Sequence, residues 1–285
     1  MILVTGASGS NGRELIKRLS QIGAPVRAML HKRHDPANDA LPGVEFVTAD
    51  FNDAESIRRA LVGVERAFLV TNSTEQAEAQ QLGFVGLAHA AGLRHIVYLS
   101  QLHAAKDSPV RFLRYHAVVE EALAASGMTF TNLRPNLYMQ ALLGFGPSIK
   151  SESRFFAPIG EAPVSIMDVR DIAAVAAIAL TEGGHEGKTY DITGPEALTH
   201  GQMASHLSEA IGRRIVFVDV PEQSMRDALI GFGMPPWQAD GLLEDYAHYR
   251  RGEASTVSPA VQEVTGKPPR TFAAFARDYR QAFLQ

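Results

Sequence analysis

Short runs of apolar residues alternate with longer amphipathic stretches through the first half of the chain. Ile2-Leu3-Val4-Thr5 is too short for a helix and predicts a buried strand. Residues 14–19 after it carry Leu15, Ile16 and Leu19 at helical spacing, and Gly23 closes that helix. Val26-Arg27-Ala28-Met29-Leu30 and Val44-Glu45-Phe46-Val47 predict the next two strands. A helix over 54–62 follows, with Asp53 as its N-cap. Ala67-Phe68-Leu69-Val70 predicts a fourth strand, and residues 75–91 a longer helix ended by Gly92. His95-Ile96-Val97-Tyr98-Leu99 is a fifth strand; a helix carrying Val118, Val119, Ala122 and Leu123 leads to Thr129-Phe130-Thr131-Asn132-Leu133. Apolar strands alternating with helices bury both faces of a sheet. The fold class is therefore α/β, a Rossmann-type doubly wound parallel sheet.

After Arg134-Pro135 the rhythm changes. Residues 136–163 are rich in Gly, Pro and aromatics and read as loops lining a cleft. A helix over 169–180 and a strand over 189–193 return to the sheet, and from about Leu198 the pattern is mainly helical, with one strand over 215–218. Residues 1–135 and 164–195 are thus assigned to the nucleotide-binding domain, and 136–163 and 196–285 to a smaller, mainly helical substrate-binding domain.

Composition narrows the setting. The chain has 285 residues, of which 46% are hydrophobic and 20% charged, as in an ordinary globular protein. A net charge of -4 gives no electrostatic reason to bind nucleic acid or an anionic membrane. With no cysteine there is no disulfide, thiolate nucleophile or thiolate metal site. Met1-Ile2-Leu3-Val4 turns polar at Thr5 without a basic flank, so no signal peptide is read, and no apolar run approaches the ~20 residues that span a bilayer. The expectation is a cytoplasmic protein, monomeric or homodimeric, without membrane or nucleic-acid partner.

The chemistry concentrates in Val4-Thr5-Gly6-Ala7-Ser8-Gly9-Ser10-Asn11-Gly12, between the first strand and the first helix. One glycine permits the tight turn, one lets backbone approach a pyrophosphate, and one lets helix pack on strand. The helix amides and dipole then face the phosphates. The spacing is G-x-x-G-x-x-G, weak alone but strong in this strand–loop–helix context; the alternative is a glycine-rich turn without ligand. Dinucleotide choice falls to the end of the second strand, where an NAD-preferring site places an acid. Here His31-Lys32-Arg33-His34 stands, which suits the 2′-phosphate of NADP(H), with NAD(H) as the alternative.

Other site types are excluded. There is no H-E-x-x-H, no metal-ligand spacing among the histidines and no G-x-S-x-G. Gly183-Gly184-His185-Glu186-Gly187-Lys188-Thr189 is one residue short of a phosphate-binding loop and precedes a strand instead of following one.

Over essentially its whole length the chain resembles the atypical short-chain dehydrogenase/reductases of the NmrA-like group, which includes quinone, azo-dye and triphenylmethane-dye reductases. The residues carrying the resemblance are the glycine loop, Thr48-Ala49-Asp50-Phe51, Ala67-Phe68-Leu69-Val70-Thr71, residues 116–123, and Leu133-Arg134-Pro135-Asn136-Leu137-Tyr138-Met139. Asp168-Val169-Arg170-Asp171-Ile172-Ala173, Asp191-Ile192-Thr193-Gly194-Pro195 and residues 265–272 complete the match. The resemblance implies that Thr5, Gly6, Ser8, Gly9, Ser10, Asn11 and Gly12 hold the cofactor phosphates. It implies Asp50 and Phe51 at the adenine, Thr71 and Asn72 near the ribose, Ser100 and Gln101 near the nicotinamide, and Pro135, Asn136 and Leu137 as a wall. His31 stands where many members have an arginine for the 2′-phosphate, which passes that role to Lys32 and Arg33.

Ordinary members of the superfamily use Tyr-x-x-x-Lys on the fourth helix; the matching positions here are Phe112 and His116. Phenylalanine donates no proton, and Tyr115 is turned about 100° away around a helix. His116 is therefore the polar group expected at the nicotinamide ribose and in proton transfer, with Ser100 as a second proton source. Glu120, one turn on, is expected to orient the imidazole and favour its charged form; a plain half-exposed histidine is the alternative. Tyr138, Met139, Phe145, Phe155, Phe156, Phe232, Met234 and Trp237 are candidates for an apolar substrate slot, although such residues are more often core.

The implied function is an NADPH-dependent oxidoreductase passing hydride to a small aromatic acceptor: a quinone, an azo compound or an aromatic polyketide. The alternative is a non-catalytic NADP(H)-binding redox sensor of the NmrA type acting through a protein partner. Epimerisation or dehydration of a nucleotide sugar is poorly served without Tyr-x-x-x-Lys.

Overall fold

Seven strands form one parallel sheet in the order β3-β2-β1-β4-β5-β6-β8. The computed structural model describes residues 1–31 and 41–284. In chain order the elements are β1 (Ile2–Val4), α1 (Ser10–Gln21), β2 (Val26–Leu30), β3 (Val44–Thr48), α2 (Ala54–Leu61), β4 (Arg66–Leu69), α3 (Ala77–Ala90), β5 (His95–Leu99), α4 (Arg111–Ala125) and β6 (Thr129–Pro135). They continue with α5 (Gly146–Glu152), β7 (Arg154–Ala157), α6 (Val169–Thr181), β8 (Lys188–Ile192), α7 (His200–Ile211), β9 (Val216–Asp219) and α8 (Glu222–Gly231). The chain closes with α9 (Pro236–Arg250), α10 (Ala260–Thr265) and α11 (Phe272–Asp278). The predicted strands of the first half all form, each within about two residues of its expected bounds.

The chain divides into two units. The first comprises Met1–Asp107, Leu113–Arg134 and Ile172–Tyr190. Its core places Ile57 and Leu61 of α2, Phe84 and Val85 of α3, and Val119 and Leu123 of α4 against Leu3, Leu69, Ile96 and Tyr98 of the sheet. Asp53 caps α2 as expected, its carboxylate accepting the Glu55 and Ser56 amides. β1 pairs with both β2 and β4, so the strand order reverses there, and the crevice at the carboxyl ends of such strands is where open α/β sheets bind ligands.

The second unit comprises Ser108–Phe112, Pro135–Asp171 and the chain from Asp191 onward. It has two apolar clusters. One gathers Phe155, Met203, Leu207, Phe272, Phe275 and Phe283; the other gathers Ile159, Met225, Tyr246 and Tyr249. Residues 136–163 are not the loops expected of them. They contain a 3-10 helix (Met139–Phe145), α5 begun by Pro147, and β7, which pairs in parallel with β9. Pro147 punctuates the sequence like a loop residue, yet at the first turn of a helix its missing N–H costs nothing. In the same way Pro236 opens α9 and places Trp237 in its first turn. Among the described residues no helix is long and apolar enough to cross a membrane.

Candidate functional site

The loop from β1 to α1 is built by close backbone approaches. Gly6 has φ +58, and a Cβ there would lie 2.7 Å from Val70 Cγ1. At Gly12 a Cβ would stand 2.3 Å from the Gly6 carbonyl oxygen, a separation no side chain tolerates. Gly9 N–H donates to Gly6 O at 2.9 Å and closes the turn. Thr5 is fully buried and works as a clip: its hydroxyl accepts Val70 N–H at 2.8 Å and donates to Val70 O at 2.9 Å, tying β1 to β4. It shapes the loop from beneath. Ser8, Gly9 and Ser10 are exposed, and Gly9 offers no side chain to cap α1. Asn11 Oδ1 is buried without a partner among the described residues. An uncapped helix start and glycines that cannot be replaced fit the phosphates of a dinucleotide, while the orphaned Asn11 oxygen needs a hydrogen-bond donor.

The rim residues are less committed. Asp50 accepts the Asn52 amide at 2.9 Å, and its other oxygen lies 3.7 Å from His31 Nδ1, with both side chains exposed. Phe51 leans on Phe84 with ring centroids 5.9 Å apart. Asn72 is exposed and Gln101 half-buried. Lys32 and Arg33, expected at the 2′-phosphate, lie outside the described residues.

Behind β4 and β5 the first unit buries two separate polar clusters, both reaching α4. In the first, Gln81 Nε2 donates to Thr71 Oγ1 at 2.6 Å and Tyr98 Oη donates to Gln81 Oε1 at 2.7 Å. Tyr98 Oη also lies 2.6 Å from His116 Nδ1. The Tyr115 ring packs on His116 with centroids 4.2 Å apart, and its hydroxyl lies 3.1 Å from Ser73 Oγ. Burial pushes the His116 pKa down to about 3 and holds Tyr98 well above 10.0, with Tyr115 and Glu120 adding to the latter. This cluster is neutral throughout.

The second cluster is charged. Glu120 receives Arg134 through two bonds, Nε at 2.9 Å and a terminal nitrogen at 2.5 Å, and Ser100 Oγ donates to it at 2.6 Å. Two expectations are corrected here. Glu120 does not orient or charge His116; Arg134 and Ser100 occupy its carboxylate, and His116 is instead held neutral by burial against Tyr98. Ser100 gives its single hydroxyl proton to Glu120, so as placed it accepts hydrogen bonds and supplies no proton.

The remaining candidates belong to the second unit. Phe112 is buried against Trp237, with centroids 5.6 Å apart, and the Arg111 guanidinium covers the Trp237 ring at 5.3 Å. Asn136 spends its side chain internally, donating to Ser165 Oγ and Ala254 O at 2.8 Å each and accepting the Leu137 amide. It therefore fixes the bend after β6, between buried Pro135 and half-buried Leu137. Phe155 is 1% exposed among Phe145, His200 and Phe217, which makes it core and removes it from any substrate slot. Tyr138, Met234 and Trp237 are half-buried.

Residues 1–275 match the model of the NmrA-like family. The chain belongs to the NmrA-like family. Among relatives of this NmrA-like protein, the NAD(P)H azoreductase of Xenophilus azovorans is 35% identical, the match covering 99% of each chain. The (4-alkanoyl-5-oxo-2,5-dihydrofuran-3-yl)methyl phosphate reductase of Streptomyces griseus is 38% identical over 99% of each. The NADPH-dependent quinone oxidoreductase QOR2 from Escherichia coli, solved in complex with NADPH, superposes with a TM-score of 0.85 at 30% identity, covering 98% of this chain and 99% of that one. Within the NmrA-like protein, sequence reasoning names Thr71 and His116 but not the two residues that join them. Tyr98 reads from sequence as one more apolar strand residue, and nothing in the α3 pattern singles out Gln81. The available signal was a phenol in a strand buried on both faces, since a buried hydroxyl requires partners.

Proposed function

We propose that this NmrA-like protein is an NADPH-dependent reductase that passes hydride to a small aromatic acceptor, a quinone or an azo compound. The observation that carries the reading is the glycine cradle of Gly6, Gly9 and Gly12 on a chain that aligns end to end with an azoreductase. In this assignment the loop amides from Ser8 to Gly12 hold the pyrophosphate, and a cofactor hydroxyl donates to Asn11 Oδ1. Asp50 and Phe51 border the adenine, Thr71 and Asn72 lie near a cofactor ribose, and Ser100 and Gln101 approach the nicotinamide. His116 accepts a ribose hydroxyl through Nε2, and Pro135, Asn136 and Leu137 supply a wall. Lys32 and Arg33 pair with the 2′-phosphate. When bound, the cofactor supplies a hydride to the acceptor.

Proton supply selects the acceptor class. Phe112 has no proton to give, Ser100 has given its own to Glu120, and His116 is neutral with a pKa near 3. An unactivated ketone needs an acid when hydride arrives, because its alkoxide is too basic to form freely. A quinone that gains a hydride becomes a hydroquinone monoanion, stable in water, and collects its proton from solvent afterwards. The site residues favour the second kind of acceptor.

The test is NADPH oxidation, followed by absorbance, with a panel of quinones, azo dyes and aliphatic ketones. Turnover with quinones or azo dyes and none with ketones is expected. Tight cofactor binding with no turnover on any acceptor would instead mark a sensor. Titration should give an affinity for NADPH at least about tenfold above that for NADH, the worth of one charge-assisted hydrogen bond; equal affinities would overturn the NADP preference.

A further inference from the structure

We propose that Gln81 and Tyr98 are positioning residues that fix the tautomer of His116, and with it the direction of the Thr71 hydroxyl, through one directional hydrogen-bond chain. The link to cofactor rests on the reading above, in which Thr71 and His116 face the dinucleotide; the chain itself does not.

Four residues from four segments form it: Thr71 after β4, Gln81 on α3, Tyr98 in β5 and His116 on α4. Gln81, Tyr98 and His116 are buried, so water is a poor substitute for any member. Each link constrains the next. Gln81 presents Nε2 to Thr71, and an amide nitrogen only donates, so its oxygen faces Tyr98. An amide oxygen only accepts, so the single phenolic proton of Tyr98 points at Gln81. The Tyr98 oxygen is then the acceptor toward His116, and the imidazole must carry its proton on Nδ1. The pressure that burial puts against an imidazolium leaves only the neutral ring to consider.

Both ends of the chain are open. No described residue is hydrogen-bonded to His116 Nε2, which therefore offers a lone pair. Thr71 Oγ1 has accepted from Gln81 and keeps its own proton to give. Turning the Gln81 amide over would reverse every link together: Tyr98 would donate to Nδ1, Nε2 would carry the proton, and Thr71 would donate inward. The ends are thus coupled. A ligand hydroxyl that donates to His116 is matched by a ligand atom that accepts from Thr71, and mixed arrangements leave a buried group unpaired. A ribose hydroxyl at His116 and a cofactor oxygen at Thr71 satisfy this pairing.

The test reads the tautomer directly. In the 15N-labelled full chain, the two ring nitrogens of His116 are assigned by their loss in His116→Asn, and long-range 1H–15N correlation distinguishes protonated from unprotonated nitrogen. The wild type is expected to show protonated Nδ1 and bare Nε2. Gln81→Met keeps the length and removes both polar atoms, releasing the Tyr98 proton toward Nδ1. It is expected to move the His116 proton to Nε2, although residue 81 does not touch the ring, and to weaken NADPH binding about tenfold. Tyr98→Phe deprives Nδ1–H of its acceptor and should shift the tautomer the same way, which keeps the test available if the first variant does not fold. A wild-type ring protonated on Nε2, or a tautomer unchanged in both variants, overturns the proposal. A tautomer that moves while NADPH affinity stays at the wild-type value supports the chain and overturns the placement of His116 on the cofactor.

Discussion

His116 and Glu120 stand one turn apart on α4, yet they belong to opposite kinds of polar cluster. Around His116 every group is neutral, and each proton has one place to go. Around Glu120 a carboxylate is met by a two-pronged guanidinium and a hydroxyl. Hydrogen-bond direction stabilises the first; charge pairing stabilises the second. The two should therefore fail differently when disturbed, and at different sizes.

The largest effect is expected from Glu120→Ala. It removes the carboxylate that takes two bonds from the part-buried Arg134 and one from Ser100. Breaking such a pair from one side costs about 3 kcal/mol or more. Urea unfolding checks this, and a loss under about 1 kcal/mol would mean that Arg134 finds water instead.

Tyr98→Phe should follow. It strips a proton donor from Gln81 and an acceptor from His116 without changing the packed ring, which predicts about 1–3 kcal/mol in the same assay. A change near zero would argue that solvent reaches the cluster.

Acid should next tell the clusters apart. The pKa of His116 falls from an ordinary 6.5 to about 3 on folding, so the unfolded chain takes up the proton first. The stability it contributes is complete above about pH 6.5 and is lost as pH falls toward 3, at about 1.4 kcal/mol per pH unit. His95 and His200, each lowered to about 4 by burial, act in the same direction over a narrower window. His116→Phe should flatten the slope of stability against pH between 6 and 4 by one proton's share. An unchanged slope would place a charged imidazole in the folded state.

The smallest effect is expected one residue from Glu120. Glu121 pairs with Lys106 at the surface, both more than half exposed. Glu121→Gln should change stability by no more than about 0.5 kcal/mol. The same chemistry on the same helix then differs several-fold by burial alone.

What the sequence made legible follows the same division. The glycine loop is local: strand, turn and helix start lie in consecutive residues, so the order of glycines is sufficient to place it. The Asp53 cap is local too, and it forms as read. At His116 and Glu120 the spacing correctly put two polar side chains one turn apart, but proximity along a helix does not choose partners. Those come from α3, β5 and β6, elements that only the folded chain brings together. β7 escaped for a related reason, since four residues, Arg154–Ala157, become a strand only beside β9. The Pro147 and Pro236 helix starts were hidden by residues that serve turns and first helical turns equally well.

The crowding between Gly12 and the Gly6 carbonyl has a consequence for evolvability. Position 12 admits no side chain at all, so the anchoring of the loop lies in backbone that substitution cannot adjust gradually. The His31 and Asp50 side chains, by contrast, sit exposed at the rim. A library randomised at 31 and 50 should return many folded members, while one randomised at 6 and 12 should return the parent glycines. On the proposed function, the rim can vary from one descendant to the next while the loop that grips the cofactor stays fixed.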